Sequence, residues 1–304
     1  MPMLETWRRI LGWVVPLALA CSVDVCGLAE EWSPETAAPK ARVVSLAPNL
    51  TELVYALGLG DRLIGRSSAC DYPPEARMLP VAGDFGRPNM EWLQRMKPDL
   101  VLMTDLENPA LRKAIEAAGI RDLELSCESW KKLMDAALAI GRELQVPEAG
   151  EKWVEAMEKR RATLAGETEA FWSGRPRPLV YVEIWCDPIT AAGPDSFLND
   201  LVELAGGRNM GGDLKAPYVH VSVEWVIREN PDVILTAYML QDASSRKRLQ
   251  ERVGWKNIKA VQSGSVCDSI PADLLLRSGP RMLDGAVSFA GWLREWEGKR
   301  RVMK

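Results

Sequence analysis

The chain has 304 residues, of which 47% are hydrophobic and 26% are charged, and its formal net charge at pH 7 is −4. A chain of this length and composition is expected to fold into a globular protein with about two domains. It lacks the basic footprint of nucleic-acid binding, so we expect no nucleic-acid partner. With one histidine, it is also poorly suited to hold zinc or another bare metal ion, which needs several histidines and carboxylates.

Residues 1–29 are interpreted as an export signal. Two arginines precede an apolar run at 10–20 that is short for a membrane span, and small residues permit cleavage after Ala20 or Ala29. Cys21 also permits a lipoprotein anchor, which we rank below plain secretion and above a single membrane anchor. The expected location is therefore periplasmic or otherwise extracytoplasmic, with a lipid on Cys21 as the alternative to a soluble protein.

Four cysteines follow this segment, Cys70, Cys127, Cys186 and Cys267. An even number of cysteines in an exported protein permits disulfide bonds. Cys186 and Cys267 are the preferred pair, because both lie at the ends of apolar runs in the second half of the chain. Buried free thiols are an equally open alternative.

Strands and helices alternate through the first half of the chain. Short apolar and β-branched runs predict strands at 42–46, 62–67, 99–104 and 122–126. Helices are predicted at 50–57, after residue 89, at 109–119 and at 129–144. Asn49, Asn89 and Ser129 are the expected N-terminal caps of the first, second and fourth of these helices. This alternation is typical of a parallel sheet whose two faces are covered by helices.

A long helix is predicted at 147–172, where Pro147 gives a start signal and Met157 and Leu164 recur at helical spacing in a charged segment. The second half then repeats the alternation. Strands are predicted at 178–184, 232–237 and 265–268, and helices at 196–205, after Ser222, at 243–254 and at 279–296.

A repeat relates the two halves. The segment MEWLQRMKPDLVL at 90–102 and the segment VEWVIRENPDVIL at 223–235 keep the same register, since the glutamates are offset by 224 − 91 = 133 and the prolines by 231 − 98 = 133. The repeat predicts two similar lobes at 41–146 and 178–297, joined by the helix at 147–173, with a cleft between them.

Ligands of such sheets bind beyond the carboxyl ends of the strands. The cleft is therefore expected to be lined by the residues that follow the strands: Pro48, Tyr72, Phe85, Trp130, Trp185, Tyr218, Tyr238 and the turn at 269–271. Packing in the core is the alternative role of these aromatic side chains, and the two roles are evenly balanced for Trp185.

Motifs along most of the chain carry a family resemblance. They are RVVSLAPNLTEL at 42–53, DYPPEA at 71–76, KPDLV at 97–101, AGGRN at 205–209, VSVE at 221–224, NPDVI at 230–234 and RSGPR at 277–281, where the family usually has proline at position 278. In this order they resemble the cobalamin and ferric-siderophore substrate-binding proteins of ABC importers, and within that family the vitamin B12-binding proteins most. The likeness covers residues 42–292.

The resemblance implies an α/β fold of the class III periplasmic-binding-protein type, with two Rossmann-like lobes bridged by one long helix and little hinge motion. It also implies a protein that needs no cofactor and delivers a cobalt or iron complex to an ABC permease with its ATPase. In this family each lobe presents a glutamate to arginines of the permease, and Glu91 and Glu224 are the matching positions. An acid near a helix N-terminus also stabilises the helix by roughly 0.3–1 kcal/mol, but that does not explain its recurrence in both halves.

The expected ligand is a corrinoid such as vitamin B12, because aromatic faces can cover a large, partly apolar ring. Tyr218 stands where the B12-binding relatives place a cleft aromatic. His220 could ligate cobalt or haem iron as a neutral imidazole, although a plain polar contact is the commoner role of a lone histidine.

Two other functions stay open. Four basic side chains could bind an anionic siderophore or haem, and these are Arg87, Lys215, Arg277 and Arg281. An exported α/β enzyme ranks lower, because the sequence shows no catalytic constellation. We therefore expect a monomeric binding protein, not an enzyme, whose membrane contact is made through its permease or a lipid anchor.

Overall fold

A computed structural model describes residues 40–105, 109–238 and 245–302 of the chain. The predicted export signal and Cys21 lie outside the described residues. Within these residues, no helix is long and apolar enough to cross a membrane.

The first sheet has four parallel strands in the order β2-β1-β5-β6. These strands are β1 (Val43–Ser45), β2 (Leu63–Arg66), β5 (Leu100–Thr104) and β6 (Asp122–Leu125), and a small hairpin is formed by β3 (Gly83–Asp84) and β4 (Arg87–Pro88). Its helices are α1 (Pro48–Ala56), α2 (Met90–Met96), α3 (Pro109–Ala117) and α4 (Trp130–Glu143), with 3-10 turns at Gly60–Arg62 and Pro74–Met78. We call residues 40–146 the first lobe.

The long helix α5 spans Pro147–Trp172 and leads into a second, mixed sheet. Its strands are β7 (Leu179–Cys186), β8 (Ile189–Ala192), β9 (Arg208–Asn209), β10 (Tyr218–His220), β11 (Val233–Thr236) and β12 (Val266–Cys267). Its helices are α6 (Phe197–Ala205), α7 (Val223–Glu229), α8 (Ser245–Glu251), α9 (Lys259–Gln262), α10 (Ala272–Leu276) and α11 (Met282–Val302), with a 3-10 turn at Trp255–Asn257. We call residues 178–302 the second lobe.

The second sheet corrects the expectation of purely parallel strands. Its order is β10-β8-β7-β11-β12, with β9 also paired to β7. Strands β7, β9, β11 and β12 are parallel, but β8 is antiparallel to both β7 and β10. The chain reverses at Asp187 and Pro188 and extends β7 into a hairpin, so that side chains from three strands share one edge of this lobe. The fold class is otherwise as expected, with two α/β lobes bridged by one long helix.

One apolar core runs through both lobes. It includes Val43 of β1, Leu164 of α5 and Leu293 of α11, all of which are buried. Helix α5 packs against α4, α6 and α11. Because burial of apolar surface is the main force that holds elements together, this shared core resists separation of the lobes. Two smaller clusters cover the other faces of the sheets.

The repeat has a structural basis in its turns. Lys97 and Asn230 end α2 and α7 in the same left-handed conformation, with φ of 48° and 50°. Asp99 accepts a hydrogen bond from the backbone N–H of Arg42 at 2.8 Å, and Asp232 accepts one from that of Leu179 at 3.0 Å. Each Pro-Asp motif therefore ties the end of its helix to the segment at the start of a neighbouring strand.

The start of each repeat helix is also fixed. The side chain of Asn89 accepts a hydrogen bond from the N–H of Trp92, and that of Ser222 accepts one from the N–H of Trp225. Both caps are confirmed, and Ser129 caps α4 in the same way. The predicted cap at Asn49 is wrong, because α1 already begins at Pro48.

A buried carboxylate joins the two lobes. Glu52 of α1 is 3% exposed. Its two oxygens accept hydrogen bonds from Nη2 and Nε of Arg281 at 2.6 and 2.8 Å, and Nη1 of Arg277 is 3.3 Å from Oε1. Arg277 also donates to Asp71 at 2.6 Å. Two arginines of the second lobe thus neutralise two acids of the first lobe, and Asn49 adds a hydrogen bond from its side-chain amide to the carbonyl of Ser278 at 3.2 Å.

A second polar contact joins the lobes at α4. Asp200 of α6 accepts a hydrogen bond from the N–H of Trp130 at 2.9 Å, so it supports the N-terminus of a helix in the other lobe. Burial raises the pKa of Asp200 despite this hydrogen bond. The indole of Trp130 donates to Glu158 of α5 at 2.6 Å. Both lobes and the linking helix therefore meet at the start of α4.

The predicted Cys186–Cys267 disulfide is wrong. All four cysteines of the described residues are free. Cys267 lies opposite Leu235 of β11, which lies opposite Val182 of β7. Cys186 is therefore two strands away, roughly 9–10 Å, and four residues further along, whereas a disulfide needs a Cα separation below about 7 Å. Burial raises the pKa of Cys267 to about 12, which keeps it a thiol.

We expect Glu52→Ala to lower the free energy of unfolding by about 3 kcal/mol, because it leaves two largely buried arginines without their shared partner. Chemical denaturation followed by tryptophan fluorescence measures this change. Asp135→Ala is the control, since it breaks an ion pair between exposed side chains, Lys131 and Asp135, and should cost less than about 1 kcal/mol. Equal effects of the two substitutions would show that Glu52 does not hold the lobes together.

Candidate functional site

A cavity lies between the two lobes at the carboxyl ends of the first sheet. Its volume is about 460 Å³. The first lobe contributes Pro48, Asn49, Ala69, Phe85 and Thr104, and the second lobe contributes Ala272, Asp273, Leu276, Arg277 and Ser278. Pro48 follows β1 and Thr104 ends β5, so the cavity has the position expected for a ligand of an α/β sheet. Of the predicted residues, Pro48 and Phe85 line this cavity directly.

Four aromatic side chains are exposed within the described residues. They are Tyr72 at 42%, Phe85 at 43%, Trp185 at 51% and Tyr218 at 39%. An aromatic ring that stays exposed on folding does not gain the favourable free energy of apolar burial. A group of exposed rings on loops and strand ends is therefore typical of a binding surface. All four were predicted to line the cleft from their places after the strands.

Tyr72 is held by the contact between the lobes. The guanidinium of Arg281 lies 3.9 Å from the centre of its ring, and the preceding residue, Asp71, is bound by Arg277. The hydrogen bond from Arg277 holds the pKa of Asp71 below its ordinary value. The hydrogen bond to Glu52 similarly raises the pKa of Arg281. Tyr72 is therefore fixed on one side by a cation and half-exposed on the other.

A second aromatic surface lies on the hairpin of the second lobe. Trp185 pairs with Thr190 across β7 and β8, and Thr190 pairs with His220 across β8 and β10. Directly opposed side chains in antiparallel strands share a face, and residues two apart in one strand do too. Trp185, Thr190, His220 and Tyr218 therefore lie on one face, which we call the hairpin patch.

The hairpin patch is close to the first lobe. Burial and then the negative charge of Glu128 raise the pKa of Tyr218. Glu128 directly precedes the cap of α4, so Tyr218 approaches the first lobe at the contact made by Asp200. The indole of Trp185 donates to the carbonyl of Asp187 at 2.7 Å, which orients its ring on the hairpin. The patch thus borders the interface between the lobes.

Three predicted cleft positions are buried instead. Trp130 is 6% exposed, Ile270 is 4% exposed and Tyr238 is 5% exposed. The hydroxyl of Tyr238 donates to Glu183, whose carboxylate also binds Arg252 through hydrogen bonds of 2.6 and 2.8 Å. A fully buried carboxylate needs such partners, so Tyr238 belongs to a polar network inside the second lobe and not to the cleft wall.

The four basic candidates divide into two pairs. Arg277 and Arg281 are engaged by acidic side chains at the contact between the lobes. Arg87 and Lys215 are exposed and form no ion pair with another described residue. Only this second pair has charge to offer an anionic ligand without breaking a contact of the fold.

Thr104 is a site residue that sequence patterns did not reveal. It is 4% exposed and borders the cavity, yet its hydroxyl has no hydrogen-bond partner within the described residues. Buried polar groups are rarely left unpaired. The sequence showed only a threonine that ends a strand, and such a position is one where ligands meet α/β sheets.

Glu91 and Glu224 occupy equivalent places in the two lobes. Both are exposed in the first turn of a seven-residue helix, α2 or α7. Neither carboxylate has a hydrogen bond or ion pair to another described residue. Because α2 and α7 run towards the starts of β5 and β11, their N-termini lie at the same end of each lobe as the carboxyl ends of the strands. The two acids therefore flank the end of the molecule at which the cleft opens.

A cavity of about 650 Å³ lies at the opposite end of the second sheet. Its walls include Trp292 and Trp296 of α11 and the residues just before β11 and β12, Asp232 and Ser265. This is the amino end of the strands, away from the repeated glutamates. Its volume alone does not make it the candidate site.

The comparison with protein families gives a match to the model described as "Periplasmic binding protein", over residues 43–271. This covers more than half of the chain. The chain belongs to this family. The family assignment agrees with the resemblance of the motifs at 42–53 and 230–234.

Similar proteins match over most of the chain. A Bacillus subtilis protein named as an uncharacterised ABC transporter substrate-binding lipoprotein, YvrC, is 30% identical, with 82% of this chain and 78% of that protein covered. The periplasmic vitamin B12-binding protein BtuF of Vibrio cholerae has a crystal structure that superposes with a TM-score of 0.69 at 28% identity, covering 84% of this chain and 97% of that one. A periplasmic heme-binding protein of Pseudomonas aeruginosa gives a TM-score of 0.74 at 25% identity, covering 84% and 93%.

We expect Thr104→Val to raise the free energy of unfolding of the ligand-free protein by about 1 kcal/mol, because it removes a buried hydroxyl that has no partner. Thermal and chemical denaturation measure the change. Thr51→Val is the matched control, since the buried hydroxyl of Thr51 donates to Ser45 at 2.8 Å and its removal should destabilise the protein. Destabilisation by both substitutions would contradict an unpaired hydroxyl at Thr104.

Proposed function

We propose that this protein is the extracytoplasmic, non-enzymatic binding protein of an ABC importer that captures a corrinoid between its lobes. It delivers the ligand as a monomer to a permease and its ATPase. The export signal predicted at 1–29 supports a location outside the cytoplasm, and a lipid on Cys21 is the alternative to a soluble form. The four exposed aromatic side chains around the interface between the lobes are the observation that carries this proposal.

The aromatic surfaces suit a corrin ring by size and polarity. Phe85 borders the cavity and Tyr72 stands beside it, while Trp185 and Tyr218 form the hairpin patch. Burial of apolar area on association contributes roughly 25 cal/mol per Å² before the costs of association. Several large rings held on a rigid frame therefore offer substantial affinity for a wide, flat ligand. The B12-binding relative of Vibrio cholerae supports this choice of ligand.

The charges of the site favour a ligand with little net charge. Arg277 borders the cavity, but it pairs with Glu52, Asp71 and Asp273. An anionic siderophore would have to compete with three carboxylates for this guanidinium. The acids of the site are neutralised by the same contacts, so they do not form the group of perturbed titratable residues typical of an enzyme.

A haem or ferric-siderophore ligand is the second candidate. The exposed cations Arg87 and Lys215 favour it, because carboxylates of haem or a siderophore need such partners. The heme-binding relative of Pseudomonas aeruginosa is also similar in fold and sequence. A competition experiment between a corrinoid and haem or a ferric siderophore would show which class of ligand the protein prefers.

We expect the protein to bind cyanocobalamin with a Kd of about 1 μM or tighter, as measured by calorimetry. Trp185→Ala and Tyr218→Ala should each weaken binding by about 10- to 100-fold, because each removes roughly 1.5–3 kcal/mol of aromatic contact. Phe171→Leu, at the end of α5, is the control and should leave the affinity unchanged. Tight binding of haem together with no heat from cyanocobalamin would refute the corrinoid and select the second candidate.

The glutamate pair supports delivery to a permease with two-fold symmetry. The caps and the Pro-Asp turns of the repeat have partners within their own lobes, as described above, and the side chains of Trp92 and Trp225 pack against apolar clusters of the first and second lobe. Glu91 and Glu224 alone have no such role beyond a helix-end effect. Two exposed carboxylates at equivalent places match arginines related by a two-fold axis, which bind carboxylates through paired hydrogen bonds.

We expect the double substitution Glu91→Arg with Glu224→Arg to abolish uptake by the cognate importer, because the new arginines would repel the arginines of the permease. Corrinoid binding should stay intact. Uptake of labelled cobalamin in cells and calorimetry of the purified variant measure the two properties. Glu148→Arg, which changes an exposed acid in the first turn of α5, is the control. Unimpaired uptake by the double variant would remove the docking role from both glutamates.

A further inference from the structure

His220 is the exposed histidine at the end of β10. Its Nδ1 lies 3.0 Å from the hydroxyl oxygen of Thr190 on the neighbouring strand. That hydroxyl already donates its hydrogen to the carbonyl of Pro188 at 3.0 Å. Since a hydroxyl has one hydrogen, a hydroxyl that donates to Pro188 is left to accept a hydrogen bond from the imidazole.

This pair of hydrogen bonds favours one tautomer of His220. In that tautomer Nδ1 carries the hydrogen and donates to Thr190, and the lone pair of the neutral ring lies on Nε2. This is the arrangement of a metal-ligating histidine, whose other nitrogen donates to an oxygen that orients the ring. No other described contact engages Nε2, and the side chain is exposed.

The surroundings of Nε2 fit a flat metal chelate. His220 stands on the hairpin patch, with Thr190 and Trp185 across the strands and Tyr218 two residues away on the same face. Trp185, Thr190 and His220 lie in one row across β7, β8 and β10, so a wide planar ligand that covers Trp185 and Tyr218 also extends over the edge of the patch where His220 stands. A metal whose other positions are already filled by a macrocycle needs only one further ligand from the protein, and a single imidazole nitrogen can supply it.

We propose that Nε2 of His220 is an axial ligand of the metal in the captured chelate, in the first instance the cobalt of a corrinoid with an exchangeable axial water. The lone pair of Nε2 forms the new bond to cobalt, the bound water leaves as water, and the oxidation state of cobalt does not change. This inference rests on the proposed function. It adds a chemical preference, because the site favours corrinoids with an exchangeable axial position over those whose axial positions are blocked.

The experiment compares diaquocobinamide with dicyanocobinamide, in which cyanide occupies both axial positions. We expect the wild-type protein to bind diaquocobinamide roughly tenfold or more tightly, with a shift of the visible spectrum that dicyanocobinamide does not show. His220→Ala should abolish the shift and bring the ratio of the two affinities close to one. After reduction to Co(II), the electron paramagnetic resonance signal should show the triplet splitting of one axial nitrogen in the wild type and none in the variant.

Variants of Thr190 separate ligation from a merely structural role. Thr190→Ser keeps the hydroxyl and should keep the spectral shift, whereas Thr190→Val removes the acceptor for Nδ1–H and should weaken the preference for diaquocobinamide. A shift or nitrogen splitting that survives in His220→Ala would overturn the assignment while leaving corrinoid capture in place. Failure of the wild-type protein to bind either corrinoid would instead refute the proposed function, and the axial role with it.

Discussion

The relation between the two lobes depends on one buried carboxylate. Glu52 has lost its hydration, and burial of an unpaired charge would cost several kcal/mol, so the folded state requires the two arginines of the other lobe beside it. The same arginines bind Asp71 and cover Tyr72. These ion pairs therefore close one side of the interface between the lobes and hold Tyr72 there. A binding surface that is ordered before a ligand arrives need not be ordered by the ligand, which favours affinity.

The topology places the ends of the strands and the starts of the returning helices at the same end of each lobe. In each lobe the carboxyl ends of parallel strands face the cleft, and the helices that return the chain begin at that same end. Side chains at the carboxyl ends of strands or just after them, such as Thr104 and Pro48, therefore border the cavity, while Glu91 and Glu224 are exposed in the first turns of helices. The cavity and the two exposed glutamates therefore lie at the same end of the lobes, which is the arrangement that the proposed delivery to a permease would use.

Most of the fold could be predicted from short-range sequence patterns. The features that could not be predicted depend on contacts between residues far apart in the sequence. The caps at Asn89 and Ser222 and the Pro-Asp turns are short-range features, so the repeat could be recognised from spacing alone. The hairpin of β7 and β8 was missed because its apolar residues resemble one strand followed by a loop. Tyr238 was placed in the cleft because it follows a strand, and its burial depends on Glu183 and Arg252, which are distant in sequence. The unpaired hydroxyl of Thr104 likewise has no sequence signal.

Among the described residues, the surfaces around the cleft carry several aromatic side chains and few polar groups that lack a partner. This composition affects how the site could discriminate between ligands. Aromatic walls bind any ring of suitable size, since burial of apolar area is not directional. Discrimination must then come from polar groups that a wrong ligand leaves unpaired, at a cost of about 1–3 kcal/mol each. Arg277, which borders the cavity, is paired with Glu52, Asp71 and Asp273, so its charge is not free to select for an anion. Two polar groups without a partner among the described residues lie at these surfaces and could discriminate between ligands: the hydroxyl of Thr104 and Nε2 of His220, whose Nδ1 contacts Thr190.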